Sequence, residues 1–132
     1  MSQTILIIDD FASVRLYHSS FLARKGYHCL GAGSGAEALD LIRQQPVDLI
    51  VLDLLMPRMD GAAFVAHLDA LPHLASLPVL VVTSEPQRAI EAFRLSSRPL
   101  SVLAKPVLPT ELLQRVQRLL PTPAAVPVAI AS

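Results

Sequence analysis

The chain has 132 residues, enough for one domain that buries roughly two thirds of its unfolded surface. Hydrophobic residues make up 52% and charged residues 17%, and the formal net charge is zero, so no basic footprint argues for nucleic acid or an anionic membrane surface. One cysteine, Cys29, excludes an internal disulfide framework, no charged leader precedes the short Ile5–Ile8 run, and no apolar stretch has membrane-spanning length; the expectation is a soluble, cytoplasmic protein.

Ile5-Leu6-Ile7-Ile8 reads as a short buried strand that ends in Asp9-Asp10. From Phe11 to about Arg24, Val14, Tyr17 and Phe21 recur at helical spacing, and Gly26 is the stop. Tyr27 to Ala32 is a second strand. Glu37 to Gln44 is a helix carrying Ala38, Leu39, Leu41 and Ile42, ended by Pro46. Leu49-Ile-Val-Leu52 is an unbroken aliphatic run into Asp53, and Met56-Pro57 and Asp60-Gly61 then turn the chain. Gly61 to Leu71 is helical, with Phe64, Val65 and Leu68 as its apolar side. Val79 to Val82 is a fourth strand, ending at Thr83. Ser84 is the expected cap of the next helix, with Pro86 in its first turn and Gln87 answering; that helix runs to about Leu95. Leu100 to Ala104 is a fifth strand before Lys105-Pro106, and a last helix begins near Pro109.

Five strands alternating with five helices predict an α/β doubly wound parallel sheet. The domain is expected over residues 1–120. Residues 121–132, with three prolines and no charge, read as a flexible or loosely packed tail.

In a parallel sheet the carboxyl ends of all strands share one edge, where open α/β sheets keep their chemistry. Asp9, Asp10, Asp53, Thr83 and Lys105 therefore converge, although almost a hundred residues separate the first from the last. Three carboxylates together repel one another and call for a cation. Mg²⁺ or a similar divalent ion such as Mn²⁺ suits oxygen ligands and keeps room for a phosphate. Lys105 adds a fixed positive charge and Thr83 a hydroxyl donor. Phosphoryl transfer needs such positioning and charge neutralisation, and a remaining carboxylate can serve as the nucleophile.

These residues carry a resemblance to a known family. Ile-Asp-Asp at 8–10, Leu-Asp-Leu-Leu-Met-Pro-Arg-Met-Asp-Gly at 52–61, Val-Val-Thr-Ser at 81–84 and Leu-Ala-Lys-Pro at 103–106 resemble the receiver domain of two-component response regulators. The match runs in order from residue 4 to about 120. It implies a flavodoxin-like fold and Asp53 as phospho-acceptor. Asp10 would bind Mg²⁺ directly and Asp9 mainly through water, and the backbone carbonyl of Leu55 would complete the protein ligands. Lys105 and Thr83 would contact the phosphoryl oxygens, and the peptide before Pro106 would be cis.

The implied partners are a sensor histidine kinase or a histidine phosphotransfer protein, met around Ser13, Val14 and Tyr17, and a downstream protein target. The implied output face includes Phe93, Leu95 and Val102. With no effector domain in the sequence, output is expected through protein contacts or onward relay, and a homodimer is permitted. No direct nucleic-acid or membrane partner is expected. The family's usual aromatic three residues before the lysine is Val102 here, and the residue two past the acceptor is Leu55 where many relatives are polar.

Other readings compete. A phosphorylation-independent binding module of the same fold gains weight from Val102. Gly31-Ala-Gly-Ser-Gly-Ala36 matches a relaxed dinucleotide fingerprint, but Ser34 and Glu37 also make a capping box, and the fingerprint leaves Asp9, Asp10 and Lys105 without a role. A haloacid-dehalogenase-like phosphatase needs a second Asp where Leu55 stands. His18, His28, His67 and His73 lack metal-ligand spacing and read as surface or half-buried. Arg15, Arg24, Arg43, Arg88, Arg94, Arg115 and Arg118 read as solvated.

Overall fold

Aliphatic runs too short for helices and too apolar for water must pair with one another, and here five of them do. The computed structural model describes residues 2–54 and 61–120. In chain order it contains β1 (Thr4–Ile8), α1 (Ala12–Arg24), β2 (His28–Ala32), α2 (Gly35–Gln44), β3 (Leu49–Asp53), α3 (Gly61–Asp69), a 3₁₀ turn (Pro72–Leu74), β4 (Val79–Thr83), α4 (Pro86–Phe93), β5 (Leu100–Ala104) and α5 (Pro109–Leu119). The five strands form one sheet in the order β2-β1-β3-β4-β5, and each neighbouring pair is parallel. This is the doubly wound, flavodoxin-like arrangement expected from the sequence.

Alternate side chains of each strand feed opposite layers. Leu6, Ile8, Ile50, Leu52, Val79 and Val81 pack with Ala38 of α2, Phe64, Val65 and Leu68 of α3, and Ala89 and Phe93 of α4. Ile5, Ile7, Leu49, Val51, Leu80, Val82 and Leu103 pack with Leu22 of α1 and Leu112 and Val116 of α5. The strand order steps one way from β1 to β2 and the other way from β3 to β5. Right-handed crossovers then put α1 and α3–α4 on opposite faces. Every residue of β3 and of β4 is buried, which is why they read as unbroken aliphatic runs. No helix among the described residues is long and apolar enough to cross a membrane.

Several local expectations are corrected. In α1 the buried positions are His18 and Leu22, whereas Tyr17 is exposed and Val14 and Phe21 are half-buried. The face is turned by one residue because Leu22 must meet Ile5 and Ile7. His18 is thus a core histidine and not a surface one. At α4 the residue before the helix is Glu85, with no side-chain cap. The hydroxyl that bonds there belongs to Thr83, which accepts from the Glu85 N–H at 3.0 Å, and Ser84 is exposed. α3 stops at Asp69 and α4 at Phe93, each two residues short of expectation.

Half of the expected capping box forms at α2, and its return bond falls one residue early, on Gly33 rather than Ser34. Ser34 Oγ accepts from the Glu37 N–H at 3.2 Å, and Glu37 reaches back to the Gly33 N–H at 2.7 Å. Two arginines read as solvated are half-buried and bonded across elements instead. Arg15 donates to the Asp9 carbonyl, and Arg115 donates to Ser101 Oγ and the Val102 carbonyl, pinning α5 to β5.

Candidate functional site

The carboxyl edge of the sheet gathers the polar groups that the strands themselves exclude. β1 runs out into Asp9 and Asp10, β3 ends on Asp53, β4 ends on Thr83, and Lys105 directly follows β5. One carboxylate oxygen from each of Asp9, Asp10 and Asp53 lies within 4.8 Å of the other two. Lys105 Nζ stands 3.7 Å from Asp53 Oδ1. The Lys105–Pro106 peptide is cis. The five residues expected to converge are therefore neighbours in space.

Their environments differ. Asp9 is 4% exposed, and its Oδ1 accepts from the Phe11 N–H at 2.9 Å. Asp10 Oδ1 is buried and has no hydrogen-bond partner among the described residues. A buried carboxylate oxygen without a donor is costly, and beside two like charges doubly so. Hard oxygen donors at this spacing fit a divalent ion such as Mg²⁺. Thr83 is 1% exposed; its oxygen accepts from Glu85, which leaves its own O–H able to donate. Leu55 lies outside the described residues. On either side of residues 55–60, the Gly61 N–H bonds the Leu54 carbonyl at 2.8 Å. A Cβ on Gly61 would sit 3.1 Å from the Leu54 Cα, so only glycine fits there without a shift.

A sequence model of the response regulator receiver domain matches residues 5–117. The chain belongs to this family. It is 36% identical over 120 residues to response regulator MprA of Mycobacterium tuberculosis, covering 91% of this chain and 51% of that protein. To response regulator GtcR of Aneurinibacillus migulanus it is 32% identical over 117 residues, covering 89% and 47%. The chain spans about half the length of these curated relatives. Among solved structures, the chemotaxis protein CheY4 of Vibrio cholerae superposes with a TM-score of 0.83 at 30% identity, covering 91% of this chain and all of that one. The receiver domain of Francisella response regulator 1452 gives 0.78 at 27%, covering 89% and 96%.

Beside the acid cluster this receiver domain has a groove of about 580 Å³, whose lining includes Ser13, Val14, Tyr17, His18, Lys105 and Pro106. Ser13 and Tyr17 are exposed at its rim, and Phe11 and Leu108 are further exposed apolar groups on the α1 and α5 sides. His18 lies inside the fold; burial pushes its pKa below the usual histidine value, against the pull of Asp9 and with the push of Lys105. Of the residues expected on an output face, Leu95 is 87% exposed and Val102 half-buried, but Phe93 belongs to the core.

The dinucleotide reading loses its cradle. Arg15 covers Gly31 and Gly33, its atoms 3.1 to 3.7 Å from where their Cβ atoms would be, so the space a pyrophosphate needs is filled by a side chain. Arg15 and His18 are the site neighbours that the sequence reading missed. The legible signal for Arg15 was a pair of glycines at alternate positions on and just past β2, which marks a close approach by something large.

Proposed function

We propose that this receiver domain, residues 1–120, accepts a phosphoryl group from a phosphohistidine onto Asp53. An Asp53 carboxylate oxygen attacks phosphorus, the P–N bond to the histidine breaks, and the imidazole nitrogen leaves with the bonding pair and takes up a proton. The observation that carries this reading is Asp53 standing 3.7 Å from the Lys105 ammonium and within 4.8 Å of two further carboxylates. Asp10 and Asp53 would hold Mg²⁺ directly and Asp9 through water, with the Leu55 carbonyl as the remaining protein ligand. The bound ion would supply neutralisation of the charge that builds on the phosphoryl oxygens. Lys105 then pairs with one of those oxygens and Thr83 donates its O–H to another.

The donor is a sensor histidine kinase or a histidine phosphotransfer protein. Its helix would dock on the groove at Ser13, Val14 and Tyr17, next to Lys105. Output runs through Thr83 and the surface of α4 and β5, by contact with a downstream protein or by onward relay. A second reading, a binding module that works without phosphate, is favoured by Val102, because no aromatic at that position follows the threonine inward.

Intact-mass measurement after incubation with Mg²⁺ and a small phosphodonor separates the two. Gain of one phosphoryl group that Asp53→Asn abolishes is the expected result. No gain with the wild type leaves the binding module.

A further inference from the structure

We infer that Arg15 is a positioning residue for the cation site: it fixes the peptide that joins Asp9 to Asp10, and Gly33 leaves room for its guanidinium. Arg15 Nη1 donates to the Asp9 carbonyl oxygen at 2.6 Å. That oxygen lies in the same rigid plane as the Asp10 N–H, so holding it sets the direction in which Asp10 leaves the loop. Asp9 is tied at its other groups as well. Its N–H donates to the Ala32 carbonyl at 3.1 Å, and its Oδ1 accepts from Phe11 at 2.9 Å. With those bonds the turn after β1 is determined on three sides, and Asp10 Oδ1 is left buried without a donor among the described residues.

The arginine runs over the two glycines, and a side chain on Gly33 would crowd it while one on Gly31 would make ordinary contact. Its Cδ and Nε lie 3.5 and 3.6 Å from the position of a Cβ on Gly31, and its Nη1 lies 3.1 Å from one on Gly33. The Gly33 N–H is meanwhile bonded to Glu37, which fixes that backbone against α2. The guanidinium therefore bridges the first turn of α1 to the end of β2, with the acid-bearing loop beneath it.

This inference rests on the divalent-site reading, and one titration tests both. Mn²⁺ is added to the protein and free ion is counted by electron paramagnetic resonance, with thermal unfolding of the ion-free protein alongside. The wild type is expected to bind, and Asp10→Asn to lose binding; a wild type that does not bind defeats the site and the inference together. Given binding, Arg15→Ala is expected to weaken it roughly tenfold, the usual scale for a group that orients a metal ligand. Arg15→Lys, which retains one donor, should fall in between.

The sign is decisive. If Arg15 were merely a nearby positive charge, its removal would tighten Mn²⁺ binding. If it were merely structural, the unfolding midpoint would fall and affinity would not move. Either result overturns the inference. Should Arg15→Ala not fold, Gly33→Val keeps the charge and crowds the guanidinium; weaker Mn²⁺ binding supports the inference and unchanged binding overturns it.

Discussion

The two edges of the sheet each bury a polar cluster, and they are built on opposite terms. At the amino ends of β4 and β5, the Arg98 side chain is wholly buried. Its Nε and Nη2 donate to Asp69 Oδ1, and its Nη1 donates to the carbonyls of Leu74 and Leu77. Its charge has a carboxylate, and two loop carbonyls have a donor. At the carboxyl ends, three carboxylates crowd within 4.8 Å, and among the described residues the one cation paired with them is 3.7 Å away and Asp10 Oδ1 has no donor. A saturated cluster holds a loop in place. An unsaturated one stores repulsion that a ligand relieves, and function is concentrated where local satisfaction is given up.

The largest expected effect breaks the saturated side. Arg98→Ala removes four hydrogen bonds and strands the Leu77 carbonyl, while the Leu74 carbonyl keeps the Leu77 N–H at 3.1 Å, for a loss of roughly 2–4 kcal/mol in urea unfolding. Arg98→Lys should recover little of this, since a single ammonium cannot span Asp69 and both carbonyls. A loss under about 1 kcal/mol in either variant would mean that water replaces the arginine at this edge.

On the other edge, substitution should move stability the opposite way. Asp10→Asn removes one of three like charges and is expected to raise the stability of the ion-free protein by roughly 1 kcal/mol. The same variant should lose the upward shift in melting temperature that millimolar Mg²⁺ gives the wild type, measured by calorimetry. A destabilised Asp10→Asn would show that repulsion at this edge is already neutralised within the protein, and the contrast between the edges would dissolve.

What could be read in advance follows the same division. β1, β3 and β4 were legible because strands buried on both faces leave aliphatic runs, and Asp9, Asp10, Asp53, Thr83 and Lys105 were legible because parallel strands bring their ends together. The helix faces were harder. In α1, Val14, Leu16, Tyr17, Phe21 and Leu22 lie around much of the helix and define no stripe, so its contact with β1 decided that Leu22 and His18 go inside while Leu16 stays 66% exposed. Ser84 was the expected cap of α4, but the end of β4 places the Thr83 hydroxyl there instead. Arg98 left no local trace: its carboxylate and carbonyl partners lie 21 to 29 residues away in sequence.

His18 falls between the two edges in kind, a buried titratable group beside the acid site with no ion-pair partner among the described residues. Burial lowers its pKa in the folded chain below the ordinary value of about 6.5 that it has when unfolded. Above that ordinary value neither state holds the proton, and the histidine does not disturb the fold. As pH falls below it, the unfolded chain takes up a proton that the folded chain refuses, and stability drops until the folded pKa is reached. The slope from this one group cannot exceed about 1.4 kcal/mol per pH unit. His18→Leu should remove that component, so the stability curves of wild type and variant should run parallel above pH 7 and separate in the variant's favour between pH 6.5 and 5. Parallel curves throughout that window would mean that the Asp9 carboxylate cancels the effect of burial on His18, and that the acid edge reaches further into α1 than its hydrogen bonds indicate.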